Sequence, residues 1–112
     1  MIKDLIGWSD FEKIDLRVGT IINASINEKA KKPAYILEID FGTIGIKKSS
    51  AQITERYKIN ELIGQQIVAV VNFPPKQIAQ TMSECLILGA VDGSDVNLLT
   101  LSQTSKNGLK IS

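Results

Sequence analysis

The chain has 112 residues, of which 44% are apolar and 22% charged, with a formal net charge of +1 and no histidine. This composition is typical of one globular domain spanning residues 1–112, and it excludes histidine-based catalysis and histidine-containing metal sites. The single cysteine, Cys85, excludes an internal disulfide and an all-cysteine zinc site.

The amino-terminal residues predict a short helical turn. Ser9 and Glu12 form an S-x-x-E capping pattern, which predicts helix over residues 10–14. Upstream of it, apolar residues share one helical face, and an apolar face at a terminus requires a cover. These residues are Ile2, Leu5 and Ile6.

Alternation along the next two segments predicts two strands. The run from Leu16 to Ile26 is rich in β-branched residues, with a bulge or sharp bend expected at Gly19. Residues 34–41 alternate with period two, so one face is expected in the core and the other in solvent. The core face carries Tyr35, Leu37, Ile39 and Phe41, and the outer face carries Ile36, Glu38 and Asp40.

The rest of the chain completes a small barrel pattern. Gly42 and Gly45 bracket a tight connection into a third strand, Ile44 to Gln52, which would form a hairpin with the second. Residues 53–64 predict helical turns with Asn60 as the cap and Gly64 as the end. Three apolar runs follow: Gln66 to Asn72, Cys85 to Val91 and Val96 to Leu101.

This element order predicts an all-β fold. The predicted fold is a five-stranded OB-fold Greek-key barrel with a short helical insertion between strands 3 and 4 and with amino- and carboxy-terminal extensions. An SH3-like barrel is the alternative. No apolar stretch approaches the roughly 20 residues needed to cross a bilayer. Charges at Lys3 and Asp4 argue against a signal peptide, so a cytoplasmic location without membrane insertion is expected.

Positive charge is concentrated in the centre of the chain. Residues 29–58 contain seven basic and three acidic residues, whereas the remainder has an acidic surplus. The run Lys47, Lys48, Ser49, Ser50 combines two cations with two hydroxyls, the groups that hold phosphate oxygens. Lys31 and Lys32, next to Lys29, fall in the loop between strands one and two, beside which OB-folds commonly bind ligands. Solvated lysines that protect a strand edge are the alternative interpretation.

If the basic residues bind the phosphates of a nucleic acid, the outer face of the second strand indicates whether that nucleic acid is folded or single-stranded. Glu38 and Asp40 stand where a single-strand binder would place stacking aromatics and cations. Recognition by phosphate geometry therefore favours folded RNA over single strands.

No residue pattern supports catalysis. Asp15 and Arg17 lie on one strand face and are expected to form a structural ion pair. Cys85 has no histidine to activate it and lies in an apolar run, so a buried, unreactive thiol is expected. The sequence therefore predicts no catalytic residue, no cofactor and no metal site.

Five motifs occur in order and together resemble the CsaA family. They are DLRVG (15–19), KPAYILEIDFG (32–42), KKSSAQI (47–53), VVNFPPKQI (70–78) and MSECLILG (82–89). CsaA proteins are part of a wider group of tRNA-binding domains, which occur as free homodimers and as appendages of methionyl-tRNA synthetases. The resemblance implies an OB-fold homodimer, tRNA binding and a chaperone-like activity linked to protein export.

The resemblance also implies site residues in the loop between strands four and five. The RNA-binding positions that it adds are Asn72, Lys76, Ser83 and Leu86. Ile78-Ala79-Gln80 lacks the glycine that the wider group often has after the isoleucine, so a different loop conformation is expected.

The alternative function is a chaperone or export factor that binds unfolded or precursor polypeptides and the export machinery. An apolar groove formed by Phe73, Pro74, Ile78 and Met82 would hold the polypeptide. For the homodimer, the candidate interface is formed by Ile2, Leu5, Ile6, Trp8 and the segment after Leu101.

Overall fold

The structure is a computed structural model that describes residues 1–112. Its first element is helix α1, Trp8–Glu12, which begins two residues earlier than predicted. The cap is also different, because the Asp10 carboxylate accepts a 2.9 Å hydrogen bond from the backbone N–H of Gly7. The helix therefore starts after Gly7, and the expected cap at Ser9 was wrong.

Strand β1, Leu16–Ile26, has the predicted bounds, but the expected bulge at Gly19 was wrong. The ladder with the second strand shifts register between Ile21 and Asn23 instead. Gly19 is buried where another strand crosses closely, and a Cβ there would lie 2.5 Å from Ile39 Cγ2 and 2.7 Å from the ring of Phe41. The glycine is required by this close approach.

Strands β2, Tyr35–Asp40, and β3, Ile46–Ala51, form the predicted hairpin. A single 3₁₀ turn, Gly42–Ile44, joins them, so β3 begins two residues later than expected. The odd-numbered face of β2 is in the core, as predicted. All four of its members are buried: Tyr35, Leu37, Ile39 and Phe41.

The segment after β3 contains helix α2, Ile59–Leu62. Its cap is not the predicted Asn60, because the backbone N–H of Lys58 donates to the Glu61 carboxylate over 2.8 Å. Gly64 ends the helical region with φ of +91°, as expected.

Two residues before α2 connect this segment to the rest of the barrel. The Tyr57 hydroxyl donates to Asn97 Oδ1 and accepts from the backbone N–H of Leu98, while its carbonyl accepts from the Tyr35 hydroxyl. Beside it, Arg56 forms a bidentate ion pair with Asp95, at 2.7 and 2.9 Å. The hydrogen bond from Arg56 holds the pKa of the Asp95 carboxyl below its usual value.

The second half of the chain consists of short strands. The remaining strands are β4 (Gln66–Val70), β5 (Lys76–Ile78), β6 (Thr81–Ser83), β7 (Leu86–Ile87), β8 (Gly89–Asp92), β9 (Asp95–Leu98) and β10 (Lys110–Ile111). The predicted run Cys85 to Val91 is thus divided into β7 and β8, and the run Val96 to Leu101 corresponds to β9. The hairpin β5–β6 was not predicted.

The main sheet has the strand order β3-β2-β1-β4-β7, with β10 on the amino-terminal end of β1. It curls into a nearly closed antiparallel barrel of five strands, and the predicted OB-fold architecture is confirmed. The largest fully buried side chains of the core cluster fill its interior: Phe41, Ile21, Leu37, Ile39, Leu62 and Ile67. None of the helices has the length and apolar character required to span a bilayer.

Gly19→Ala is expected to lower the free energy of unfolding by about 1–3 kcal/mol, because the added methyl overpacks the contact with Ile39 and Phe41. Urea denaturation measures this change. Gly7→Ala is the matched control, since a Cβ at Gly7 has no neighbour closer than 3.7 Å. Equal stability of Gly19→Ala and the unaltered chain would contradict the packing argument.

Candidate nucleic-acid interface

The free edge of β3 meets the segment 83–85, and this contact brings the barrel close to closure. The backbone N–H of Lys48 donates to Glu84 Oε1 over 2.9 Å, and the backbone N–H of Glu84 donates to the Lys48 carbonyl over 2.8 Å. The backbone N–H of Ser50 donates to Ser83 Oγ over 3.1 Å. We call this contact the seam.

Strand alternation separates the residues of the KKSS run. Lys48 and Ser50 pair with Glu38 and Ile36 on the outer face, whereas Lys47 and Ser49 pair with core-facing residues of β2. Ser49, expected at the RNA surface, is buried, and its hydroxyl donates to the Cys85 carbonyl over 3.0 Å. The two lysines therefore lie on opposite faces of β3, and Ser49 stabilises the seam from inside.

An open cleft of about 400 Å³ lies beside the seam. It is lined by Ser50, Phe73, Pro74, Lys76, Ile78, Ser83, Glu84, Cys85 and Leu86, and we call it the aromatic cleft. Four of these residues come from the predicted RNA-binding set and three from the predicted polypeptide groove. Met82, the remaining groove residue, is exposed and does not line the cleft. The predicted RNA-binding site and the predicted polypeptide groove therefore overlap in the aromatic cleft.

A second depression, of about 460 Å³, adjoins the first. It is lined by Lys29, Ala30, Lys31, Lys32, Ala34, Ser50, Gln52, Gln77, Ile78 and Ala79, and we call it the lysine depression. Ser50 and Ile78 belong to both walls, so the two depressions are immediate neighbours. Three ammonium groups and no carboxylate line the lysine depression, which makes it suited to an anion.

The lysines of this surface are not neutralised by the protein. Only three basic side chains in the chain have a carboxylate oxygen within 4.0 Å, and all lie elsewhere: Lys13, Arg17 and Arg56. The side chains of Lys31, Lys32 and Lys76 line the depressions and are exposed and free of such partners, and Lys48, which lines neither depression, is likewise exposed and free. They are available to phosphates.

Asn72 lies apart from both depressions. Its side-chain oxygen accepts from the backbone N–H of Asp15 over 2.9 Å, and its amide donates to the Lys13 carbonyl over 2.7 Å. It attaches the segment before β1 to the end of β4. Next to it, Arg17 pairs with Asp15 at 2.6 Å, so the structural ion pair predicted for these two residues is confirmed.

The hairpin β5–β6, which sequence reasoning missed, supplies one wall of the aromatic cleft. Its turn follows Ile78, and Ala79 there has φ of +55°, the left-handed conformation that glycine adopts most easily. The hairpin also brings Gln77 to the lysine depression. Glu84 was missed as well, because its carboxylate reaches the cleft only through the seam.

A model of the family described as a putative tRNA binding domain matches residues 16–110. The chain belongs to the tRNA-binding domain family. The crystal structure of chaperone CsaA from Bacillus anthracis strain Ames is 53% identical, with a TM-score of 0.93, over 97% of this chain and all of that one. The CsaA chaperone structure from Picrophilus torridus is 55% identical, with a TM-score of 0.91, over 96% of this chain and all of that one. The resemblance to CsaA is confirmed.

Among curated members of the tRNA-binding domain family, the methionine–tRNA ligase of Methanococcoides burtonii is 32% identical over 105 residues. The match covers 94% of this chain and 15% of the ligase. The ligase of Pyrococcus horikoshii is 33% identical over 96% of this chain and also 15% of its own length. The chain thus spans about one seventh of these relatives.

The thiol that lines the aromatic cleft is expected to be unreactive. Cys85 is buried, and desolvation raises the pKa of its thiol to about 12, so the neutral form dominates at pH 8. Alkylation by iodoacetamide at pH 8 should therefore be at least about 100-fold slower in the folded protein than in 8 M urea. Mass spectrometry of timed samples measures both rates, and equal rates would show that the thiolate is present in the folded protein.

Proposed function

We propose that this domain is a non-catalytic, cytoplasmic RNA-binding module whose ligand is folded RNA, with transfer RNA as the leading candidate. One observation carries the proposal: a group of unpaired lysines surrounds two adjoining depressions at the seam. Such cations bind phosphates by charge and release counterions from the RNA. Membership of the tRNA-binding domain family supports the choice of ligand.

The outer face of β2 supports folded rather than single-stranded RNA. Glu38 there accepts a hydrogen bond from Asn23, and Asp40 accepts one from the backbone N–H of Gly42. Lys48 is the cation in register with Glu38, and Asp40 lies opposite Ile46, so two carboxylates and one ammonium group leave this face unfavourable for phosphates. The face offers no aromatic side chain on which a run of bases could stack, which is the arrangement that single-strand binders use.

The ligand-binding form is a homodimer, in which two copies of the lysine surface act on one RNA. The amino-terminal apolar residues are strongly exposed in the single chain, with Leu5 at 97% and Trp8 at 87%. Trp8 and Phe11 share a depression of about 220 Å³ with Ile111 of β10, so both termini contribute to one apolar surface. A second copy would cover this surface.

Binding of unfolded polypeptide is the second candidate function. It is supported by the exposed apolar walls of the aromatic cleft, where Phe73 is 53% and Leu86 49% exposed. The related structures from B. anthracis and P. torridus are both described as chaperones. Precursor polypeptides and the export machinery are the partners that this function would imply.

The affinity for tRNA is expected to fall with salt, because each neutralised phosphate contributes about 0.7–0.9 to the slope of log K against log salt. Lys31→Ala with Lys32→Ala should lower that slope by about 1.5. Fluorescence anisotropy from 50 to 300 mM NaCl measures it. Lys58→Ala with Lys106→Ala removes the same charge away from both depressions and is the matched control.

Two outcomes would contradict the RNA proposal. In the first, both double variants reduce the slope equally, which would mean that net charge and not this surface determines binding. In the second, an unfolded polypeptide displaces tRNA, binds independently of salt and loses its affinity with Phe73→Ala. That result would favour the chaperone function.

Light scattering at micromolar concentration should give twice the mass of the chain. Leu5→Glu with Trp8→Glu should shift the protein to monomer, because two carboxylates would be buried unpaired in the interface. Val91→Glu places a carboxylate at another exposed apolar position and should leave the dimer intact. A monomeric unaltered protein would remove the homodimer from the proposal.

A further inference from the structure

The two neighbouring depressions differ in charge. Lysines alone provide the charge in the lysine depression, whereas the aromatic cleft combines Lys76 with the carboxylate of Glu84. A phosphate entering the cleft would approach that carboxylate and be repelled. An anion is therefore directed to the lysine depression, and a neutral group to the aromatic cleft.

The walls of the cleft suit a flat, apolar group. Phe73 is about half exposed, and Pro74, Ile78 and Leu86 add apolar surface around it. A volume of about 400 Å³ lies in the range of pockets that hold small molecules. An aromatic side chain at such a site is a surface on which a nucleobase stacks.

The floor of the cleft retains unused hydrogen-bonding groups. Glu84 Oε1 accepts from the Lys48 backbone, but Oε2 has no partner in the protein. The hydroxyls of Ser50 and Ser83 each accept one hydrogen bond and donate none, so each keeps a free donor. A carboxylate oxygen beside two hydroxyl donors matches the mixed donors and acceptors on the edge of a base.

We propose that the aromatic cleft holds one unpaired nucleobase of the bound RNA, stacked on Phe73, while the adjoining lysine depression holds a phosphate of the same nucleotide or its neighbour. This inference rests on the proposed RNA-binding function and deepens it. The shared residues Ser50 and Ile78 keep base and phosphate next to each other, as they are in one nucleotide. The preferred RNA is folded, with one base turned out of its stack.

The Glu84 carboxylate selects among bases. Since its free oxygen only accepts hydrogen bonds, a base that presents an amino group to the floor is favoured. Adenine, cytosine and guanine carry such a group, whereas uracil offers only its N3–H, which lies between two carbonyl oxygens that the carboxylate repels.

Phe73→Leu tests the stacking step, because leucine keeps the apolar contact but lacks the flat ring. It should weaken tRNA binding about fivefold or more, with the salt slope unchanged. Phe73→Trp restores a flat ring and should recover the affinity. Leu99→Ala removes an exposed apolar side chain outside both depressions, so it controls for general loss of surface.

A titration with mononucleotides separates the two subsites. In backbone amide NMR spectra, cytidine 5′-monophosphate should shift the signals of Phe73 and Glu84 as well as Gln77, whereas ribose 5-phosphate should shift Gln77 alone. Uridine 5′-monophosphate should shift the cleft signals less than cytidine 5′-monophosphate does. Glu84→Gln should remove this difference, since the amide oxygen can still accept from Lys48 but the added NH₂ donates.

The outcomes distinguish this inference from the proposed function. Unchanged tRNA affinity in Phe73→Leu, or identical shifts with the mononucleotide and ribose 5-phosphate, would overturn the base site while a steep salt slope upheld RNA binding. Absence of any salt-dependent tRNA binding would overturn both. An apolar peptide that binds Phe73→Leu and the unaltered protein equally, and displaces cytidine 5′-monophosphate, would assign the cleft to polypeptide instead.

Discussion

The structure depends on the seam, where β3 meets the segment 83–85. Strand β3 is the last strand of the main sheet, and without this contact its backbone groups would form a free edge. Backbone bonds and the side chains of Ser83 and Glu84 satisfy that edge together. Because the same residues line the aromatic cleft, the contact that closes the barrel also forms the candidate site.

Much of the fold follows from the alternation of apolar and polar residues along the strands. Strands β1 and β2 were predicted with nearly their observed bounds, because long runs with one buried face define the period unambiguously. The helix caps were wrong since several side chains near each helix start can reach a backbone N–H, and the carboxylates of Asp10 and Glu61 do so. Strands of three residues, as in β5–β6, are too short to show a period of two. The turn between them was not predicted either, because Ala79 stands at a positive φ where a glycine is usual.

The candidate site could be predicted only in part, for a similar reason. Lys31 and Lys32 were correctly predicted to lie together, because they are consecutive in the loop between β1 and β2 and the fold defines where that loop lies. The KKSS run was treated as one cluster, although a strand turns successive residues to opposite faces, and this separates Lys47 from Lys48. The presence of Glu84 in the cleft depends on contacts between residues 36 positions apart, which no local pattern reports.

The hydrogen bonds of Tyr57 also determine how the barrel responds to ionic strength. These three hydrogen bonds join β2 to β9 through neutral groups, which dissolved ions screen little, whereas the neighbouring Arg56–Asp95 pair is open to solvent and contributes little. Salt concentrations that weaken the binding of RNA to the lysines therefore leave this connection between β2 and β9 largely intact. Salt therefore acts on the binding of RNA and has little effect on the link between β2 and β9.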